Sequence, residues 1–259
     1  MDRSASRGFT LVEMSLVLII IGLTILIIFP ALSAVRTNAQ RTVTDSNLQT
    51  LLRATAAFVH ANGCLPCPTP ATTVGSAFGY VRGDNNTAAC NGCGSPEGIP
   101  PFASLGLPMN MAKDGWGHWI TMRVDPALTD NSFSSVIPNG MAGLCMTGLN
   151  KANQVIVQIP NGGSQPAAVI FVSHGPNGRG SLIASPQSGL KNGYRLLPLP
   201  CRVSTCTNSG GYECCNTDGN STFINASPIV SNNDPFDDIL LFLDRNALVS
   251  LIGNSVCQM

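Results

Sequence analysis

The stretch Arg7-Gly8-Phe9-Thr10-Leu11-Val12-Glu13-Met14 leads into an apolar run that continues to Phe29. Arg3 and Arg7 precede it, and from Phe9 to Val35 the only charged side chain is Glu13. About 20 apolar residues cover roughly 30 Å of hydrocarbon as a helix, so the length fits a membrane span. Basic residues are retained on the cytoplasmic side. The short leader is therefore expected in the cytoplasm and everything after Val35 across the membrane. A cleaved secretory signal competes with this reading, with a small-residue site at Ala31-Leu32-Ser33. The apolar run is longer than a usual signal core, however, and the helical pattern continues beyond it.

Glu13 separates the readings further. A carboxylate inside a membrane helix is expensive, and this one sits early in the span. It either reaches the headgroups or meets a positive charge from another subunit. The run Gly8-Phe9-Thr10-Leu11-Val12-Glu13 resembles the N-terminal signature of type IV pilins and of type II secretion pseudopilins. That resemblance implies cleavage after Gly8 by a prepilin peptidase and N-methylation of Phe9 as the new first residue. It also implies that Glu13, fifth in the mature chain, pairs with the N-terminal amine of a neighbouring subunit in a filament. Pro30 falls where such chains carry a helix-distorting proline.

The helical pattern does not stop at the span. From Thr44 to Ala61, residues Leu48, Leu51, Leu52, Thr55, Phe58 and Val59 recur at helical spacing, with Arg41, Asp45 and Arg53 on polar faces. Gly63 is the expected stop. One helix of about 50 residues is roughly 75 Å long, half for membrane or filament core and half for packing against a head. The expected organisation is a leader over 1–8, a transmembrane or filament-core helix over 9–35, its amphipathic continuation over 36–62, and a cysteine-rich globular head over 63–259.

The head is rich in Gly, Pro, Asn and Ser. The whole chain has 14 basic and 14 acidic residues, so no basic stripe exists to contact phosphates, which argues against nucleic-acid binding. His118 to Val124 alternates as a strand, Ile120, Met122 and Val124 facing one way and Trp119, Thr121 and Arg123 the other. Val155–Ile159, Ala168–Val172 and Ile239–Leu243 read as buried strands, and a short helix is expected between an Asp244 cap and Gly253. Strands follow a long helix without βα alternation. The predicted fold is α+β, a long N-terminal helix packed on an antiparallel sheet, as in pilins.

Three head segments extend the resemblance. Asp114-Gly115-Trp116-Gly117 is similar to the Asp-x-Trp-Gly turn of pseudopilin heads. Val172-Ser173-His174-Gly175-Pro176-Asn177-Gly178 resembles their Ser-x-Gly-x-Asn-Gly loop. Asn233-Asp234-Pro235-Phe236-Asp237-Asp238 resembles the acidic loop before their last strand. In major pseudopilins that loop helps to hold calcium, which implies Asp234, Asp237 and Asp238 as candidate oxygen ligands. Ca²⁺ takes six to eight oxygens, and the remaining ligands are not identifiable by pattern. The alternative is that these acids solvate a loop and cap a strand.

The ten cysteines are Cys64, Cys67, Cys90, Cys93, Cys145, Cys201, Cys206, Cys214, Cys215 and Cys257. All lie on the translocated side, where an even, high count reads as a disulfide framework. Cys64-x-x-Cys67 and Cys90-x-x-Cys93 also match the spacing of a four-thiolate zinc knuckle. An oxidising compartment favours disulfides over zinc. The adjacent Cys214 and Cys215 are each expected to pair elsewhere. By the pilin resemblance, Cys257 tethers the C-terminal tail.

His60, His118 and His174 are the only histidines, and none lies in a nucleophile, P-loop or zinc-protease motif. No enzyme is expected. The favoured reading is a structural subunit of a type IV pilus or pseudopilus. Its implied partners are a prepilin peptidase, other pilin or pseudopilin subunits and the inner membrane, which it crosses once with its head in the periplasm. Long loops favour a minor subunit. The alternative is a secreted or membrane-anchored periplasmic cysteine-rich binding protein.

Overall fold

The structure, a computed structural model, describes residues 10–84, 91–129, 155–159, 163–189, 191–196, 212–217, 219, 221–229 and 236–253; at 26–34 and 212 it describes the backbone alone. The chain is mixed α+β and divides into two compact units, Met1–Thr42 and Val43–Met259. One helix, α1 (Leu11–Asn62), supplies residues to both.

Thr10 and Glu13 start α1. The Thr10 carbonyl accepts the first helical bond from Met14 N–H at 3.2 Å. Thr10 N–H and Oγ1 donate to Glu13 Oε2 at 2.8 and 2.9 Å, and Glu13 N–H donates to Thr10 Oγ1 at 3.3 Å. This is a reciprocal capping box, which satisfies helix-start donors that no backbone carbonyl reaches. From Leu11 to Ile25 every side chain is exposed. The hydroxyls of Ser15 and Thr24 donate back to the carbonyls of Val12 and Ile21, at 2.8 and 2.9 Å. Among the described residues, no helix is long and apolar enough to cross a membrane.

In the second unit α1 becomes amphipathic. Leu48, Leu51, Leu52, Ala56 and Val59 are buried in one cluster with Leu65, Ile120, Met122, Val124, Phe171 and Leu248. The expected stripe is therefore the buried one, apart from Phe58, which is half-buried. Gly63 ends the helix at φ +78°, a left-handed conformation open to glycine.

The central sheet has the order β1 (Glu97–Gly98), β2 (Thr121–Val124), β5 (Val169–Ser173), β7 (Ile239–Leu243), antiparallel throughout. A second sheet orders β4 (Gly163–Pro166), β3 (Ile156–Ile159) and β6 (Thr222–Ile224). Period two decides how they stack. Val169 and Phe171 of β5, with Ile239, Leu241 and Leu243 of β7, face the α1 cluster. Ile170 and Val172, with Leu240 and Phe242, face Val155, Val157 and Phe223 of the second sheet. The central sheet is thus covered on both faces, which explains why β5 and β7 read as unbroken apolar runs.

Two expectations need correction. The antiparallel ladder is present in the central sheet, but the 155–159 strand belongs to the second sheet, where β3 pairs parallel with β6. An apolar run shows that a strand is buried without showing in which layer. The strand expected from His118 begins at Thr121, because Trp119 forms only an isolated bridge to Lys113. Trp119 instead turns into a third cluster with Phe78 and Phe102, at 5.6 and 6.2 Å between ring centroids. The final helix, α3 (Arg245–Ile252), starts at its Asp244 cap, whose carboxylate accepts from Ala247 N–H, and stops at Gly253.

Candidate functional site

Three turns that are distant in sequence meet at one end of the central sheet. Asp114 is buried, and its Oδ1 accepts from Trp116 and His118 N–H at 3.0 and 2.9 Å. Its Oδ2 accepts from Ser173 Oγ at 2.8 Å. The same turn takes hold of α1: Gly115 N–H donates to Thr44 Oγ1 and Asn47 Nδ2 donates to Lys113 O, at 2.9 and 2.7 Å. The Asp-x-Trp-Gly segment therefore ties α1 to the end of β5.

The register pairs Ser173 with Ile239, so the turn after β5 lies beside Asp237 and Asp238, which precede β7. Contact there is close. A Cβ on Gly175, which has φ +57°, would collide with the carbonyl and carboxylate of Asp237. Asn177 N–H donates to Asp237 Oδ2 at 3.3 Å, and Asn177 Nδ2 donates to Glu213 Oε1 at 2.7 Å. Glu213 comes from a single helical turn, α2 (Tyr212–Cys215). Asn216, just after it, donates to Asp238 Oδ2 at 2.8 Å and exchanges bonds with Ile224.

Glu213, Asp237 and Asp238 thus bring carboxylate oxygens within 4.8 Å of one another. Glu213 and Asp238 are 1% and 4% exposed. With the carboxyls ionised, Glu213 Oε2, Asp237 Oδ1 and Asp238 Oδ1 are buried acceptors with no hydrogen-bond donor; protonated, Glu213 donates to Asp237. No Arg or Lys among the described residues pairs with them; the nearest cationic candidate is His174, whose Nδ1 is 3.6 Å from Asp238 Oδ1. Burial, opposed by the Asn177 bond and reinforced by the neighbouring aspartates, pushes the Glu213 carboxyl up to about 8. Burial also raises Asp237. Unpaired, desolvated carboxylates are costly, and two agents relieve that cost: a proton or a cation. All-oxygen donors fit a hard divalent ion such as Ca²⁺, with the protein oxygens forming part of a six-to-eight-fold shell.

Of the calcium candidates, Asp237 and Asp238 come together, while Asp234 lies outside the described residues. Glu213 was not anticipated. It sits between a tyrosine and two cysteines with no periodicity around it, and only its place beside Cys214 and Cys215 set it apart.

His174 is fully buried, and its Nε2 is 2.8 Å from Thr121 Oγ1. Thr121 is itself fully buried in β2, so Asp238, His174 and Thr121 form a line inside the fold. The line holds the turn in place. His118 Nδ1 lies 3.1 Å from Gly175 O, and His60 is exposed.

Cys67 and Cys93 form a disulfide, so the second cysteines of the two C-x-x-C pairs are joined to each other and are not thiolates open to zinc. Cys64, Cys214 and Cys215 are also disulfide-bonded. Cys90, Cys145, Cys201, Cys206 and Cys257 lie outside the described residues, as do the processing candidates Gly8 and Phe9. No family model, curated protein or solved structure matches the chain.

Proposed function

We propose that this chain is a structural subunit of a type IV pilus or a type II secretion-type pseudopilus, with a pilin-like fold. It is cleaved after Gly8, methylated at Phe9, and held in the inner membrane by its apolar helix with the head in the periplasm. It then assembles with other pilin-like subunits through that helix and Glu13. The observation that carries this reading is α1: an unbroken 52-residue helix whose Leu11–Ile25 side chains are all exposed and whose Leu48–Val59 stripe is buried. Apolar side chains left in the open by their own chain ask for lipid or neighbouring subunits. The Gly8-Phe9 junction supports the processing step, and the capped helix start puts Glu13 at the end that cleavage would bring near a new amine.

We further read the acidic centre as a Ca²⁺ site that fastens the Asn177 turn to Asp237 and Asp238. Its support is the set of buried carboxylate oxygens that lack donors when ionised. Bound calcium would supply charge neutralisation there.

Intact mass of the mature protein tests the filament reading. Loss of the first eight residues together with gain of one methyl group is expected. Cleavage near Ser33, or an uncut chain, overturns it and favours a periplasmic cysteine-rich binding protein.

A further inference from the structure

We propose that Glu213 completes the cation site begun by Asp237 and Asp238, and that disulfide formation at Cys214 and Cys215 holds it there, so that the site assembles only in the oxidised head. This inference rests on the reading of the acidic centre as a calcium site.

The three carboxylates are held very differently. Asp237 and Asp238 lead directly into β7, whose five residues are laddered to β5. The turn that faces them is locked by the His174–Thr121 contact and by the close approach of Gly175 to Asp237. Glu213 has no such support from its own element. Its helix is four residues long, far below the ~12–15 at which isolated helices become even marginal. Ionised, as a cation site requires, it would also bring a third negative charge toward two others in a space with few donors. Left to itself, this wall of the site would move away.

Three ties oppose that motion, the first being the bond from Asn177 Nδ2 to Glu213 Oε1 at 2.7 Å. In the second, Asn216 binds Asp238 and Ile224, placing the end of the turn against the second sheet, while Asp238 Oδ1 lies 3.6 Å from His174 Nδ1. The third tie is covalent: both residues directly after Glu213 are disulfide-bonded and buried. Bridges at two consecutive residues restrict the preceding backbone strongly, and restriction before binding is what a multidentate cation site requires. Thermodynamic reciprocity then applies: if closed bridges favour the cation, the cation favours closed bridges.

The full-length protein in detergent, titrated with Ca²⁺ by calorimetry, tests this. Oxidised wild type is expected to bind one ion, and Glu213→Gln, which keeps every cysteine, to bind at least tenfold more weakly. Cys214→Ser/Cys215→Ser is expected to show a similar loss while near-UV circular dichroism reports an intact core. In dithiothreitol, which opens each bridge to two thiols as it closes its own cyclic disulfide, Ca²⁺ should hold these bridges closed to lower potential. For a single two-electron bridge the shift is ~30 mV for each tenfold affinity difference that opening that bridge causes. Failure of oxidised wild type to bind Ca²⁺ overturns the calcium reading itself. Binding in wild type with unchanged affinity in Glu213→Gln overturns the role of Glu213 alone. Weakened Glu213→Gln beside an unaffected double serine variant overturns the dependence on the bridges.

Discussion

The two halves of α1 both carry apolar side chains but meet opposite surroundings. Between Leu11 and Ile25 the chain places Leu, Ile and Val on every side and buries none of them. Between Leu48 and Val59 it confines Leu, Val, Ala and Phe to a stripe and buries nearly all of it. Polar groups follow the reverse rule. The lone carboxylate of the first half is answered locally, by the cap at Thr10. The three carboxylates of the head lie among buried residues, and one oxygen of each, when ionised, has no donor. On the filament and calcium proposals, the helix takes apolar neighbours from outside the chain, and the head takes a small positive charge within it.

If that division is right, Glu13→Ala should have the largest effect and leave the head untouched. The variant is expected to remain in the membrane fraction with the thermal transition of wild type, yet to be lost from sheared filaments almost completely. Normal incorporation would remove the assembly role from Glu13. A lowered thermal transition would instead break the separation between the two regions.

Phe171→Ala strikes the opposite region. Phe171 is fully buried between β2 and β7 and faces the α1 stripe. Truncating a buried Phe costs about 3–5 kcal/mol, part of it for the cavity left behind. Chemical denaturation of the purified protein should show that loss, with membrane insertion unchanged. A cost below about 1 kcal/mol would mean that the α1–sheet layer packs more loosely than its burial shows.

A smaller effect separates proton from cation at the acidic centre. With calcium stripped by EGTA, the folded state holds on Glu213 a proton that the unfolded chain releases near 4.5. The stability contributed by that proton is complete below about pH 4.5 and is lost as pH rises through about 8. Asp237 shifts in the same direction. The melting temperature should therefore fall across this window in EGTA, and millimolar Ca²⁺ should abolish the fall at its alkaline end by replacing the proton. A profile that stays flat in EGTA would show that ionised Glu213 carries no penalty in the fold.

The contrast also accounts for what pattern reading reached. The stripe from Leu48 to Val59, the runs that became β5 and β7, and the Asp244 and Gly253 boundaries follow from local periodicity and capping chemistry. The layer occupied by β3 did not follow, since Val157 is equally apolar against a helix or a second sheet. Asp237 and Asp238 stood out as an acidic pair before a strand. Glu213 did not, because its significance arises only when the Asn177 turn and β7 fold against it, and nothing within a few residues of it encodes that meeting.

The smallest expected effect sharpens the reading of Glu13. Thr10→Ala removes the capping hydroxyl but keeps the carboxylate and its bond from the backbone of residue 10. A Ser or Thr cap contributes ~1 kcal/mol, so amide exchange in the first turn of α1, at Glu13 above all, whose N–H loses the Thr10 hydroxyl, should quicken roughly fivefold. Filament incorporation should change little, because the charge proposed to meet a neighbouring subunit is still present. Loss of incorporation as complete as in Glu13→Ala would mean that the carboxylate acts by shaping its own helix start, and the outward-looking role assigned to this half of α1 would pass from its one charge to its apolar side chains.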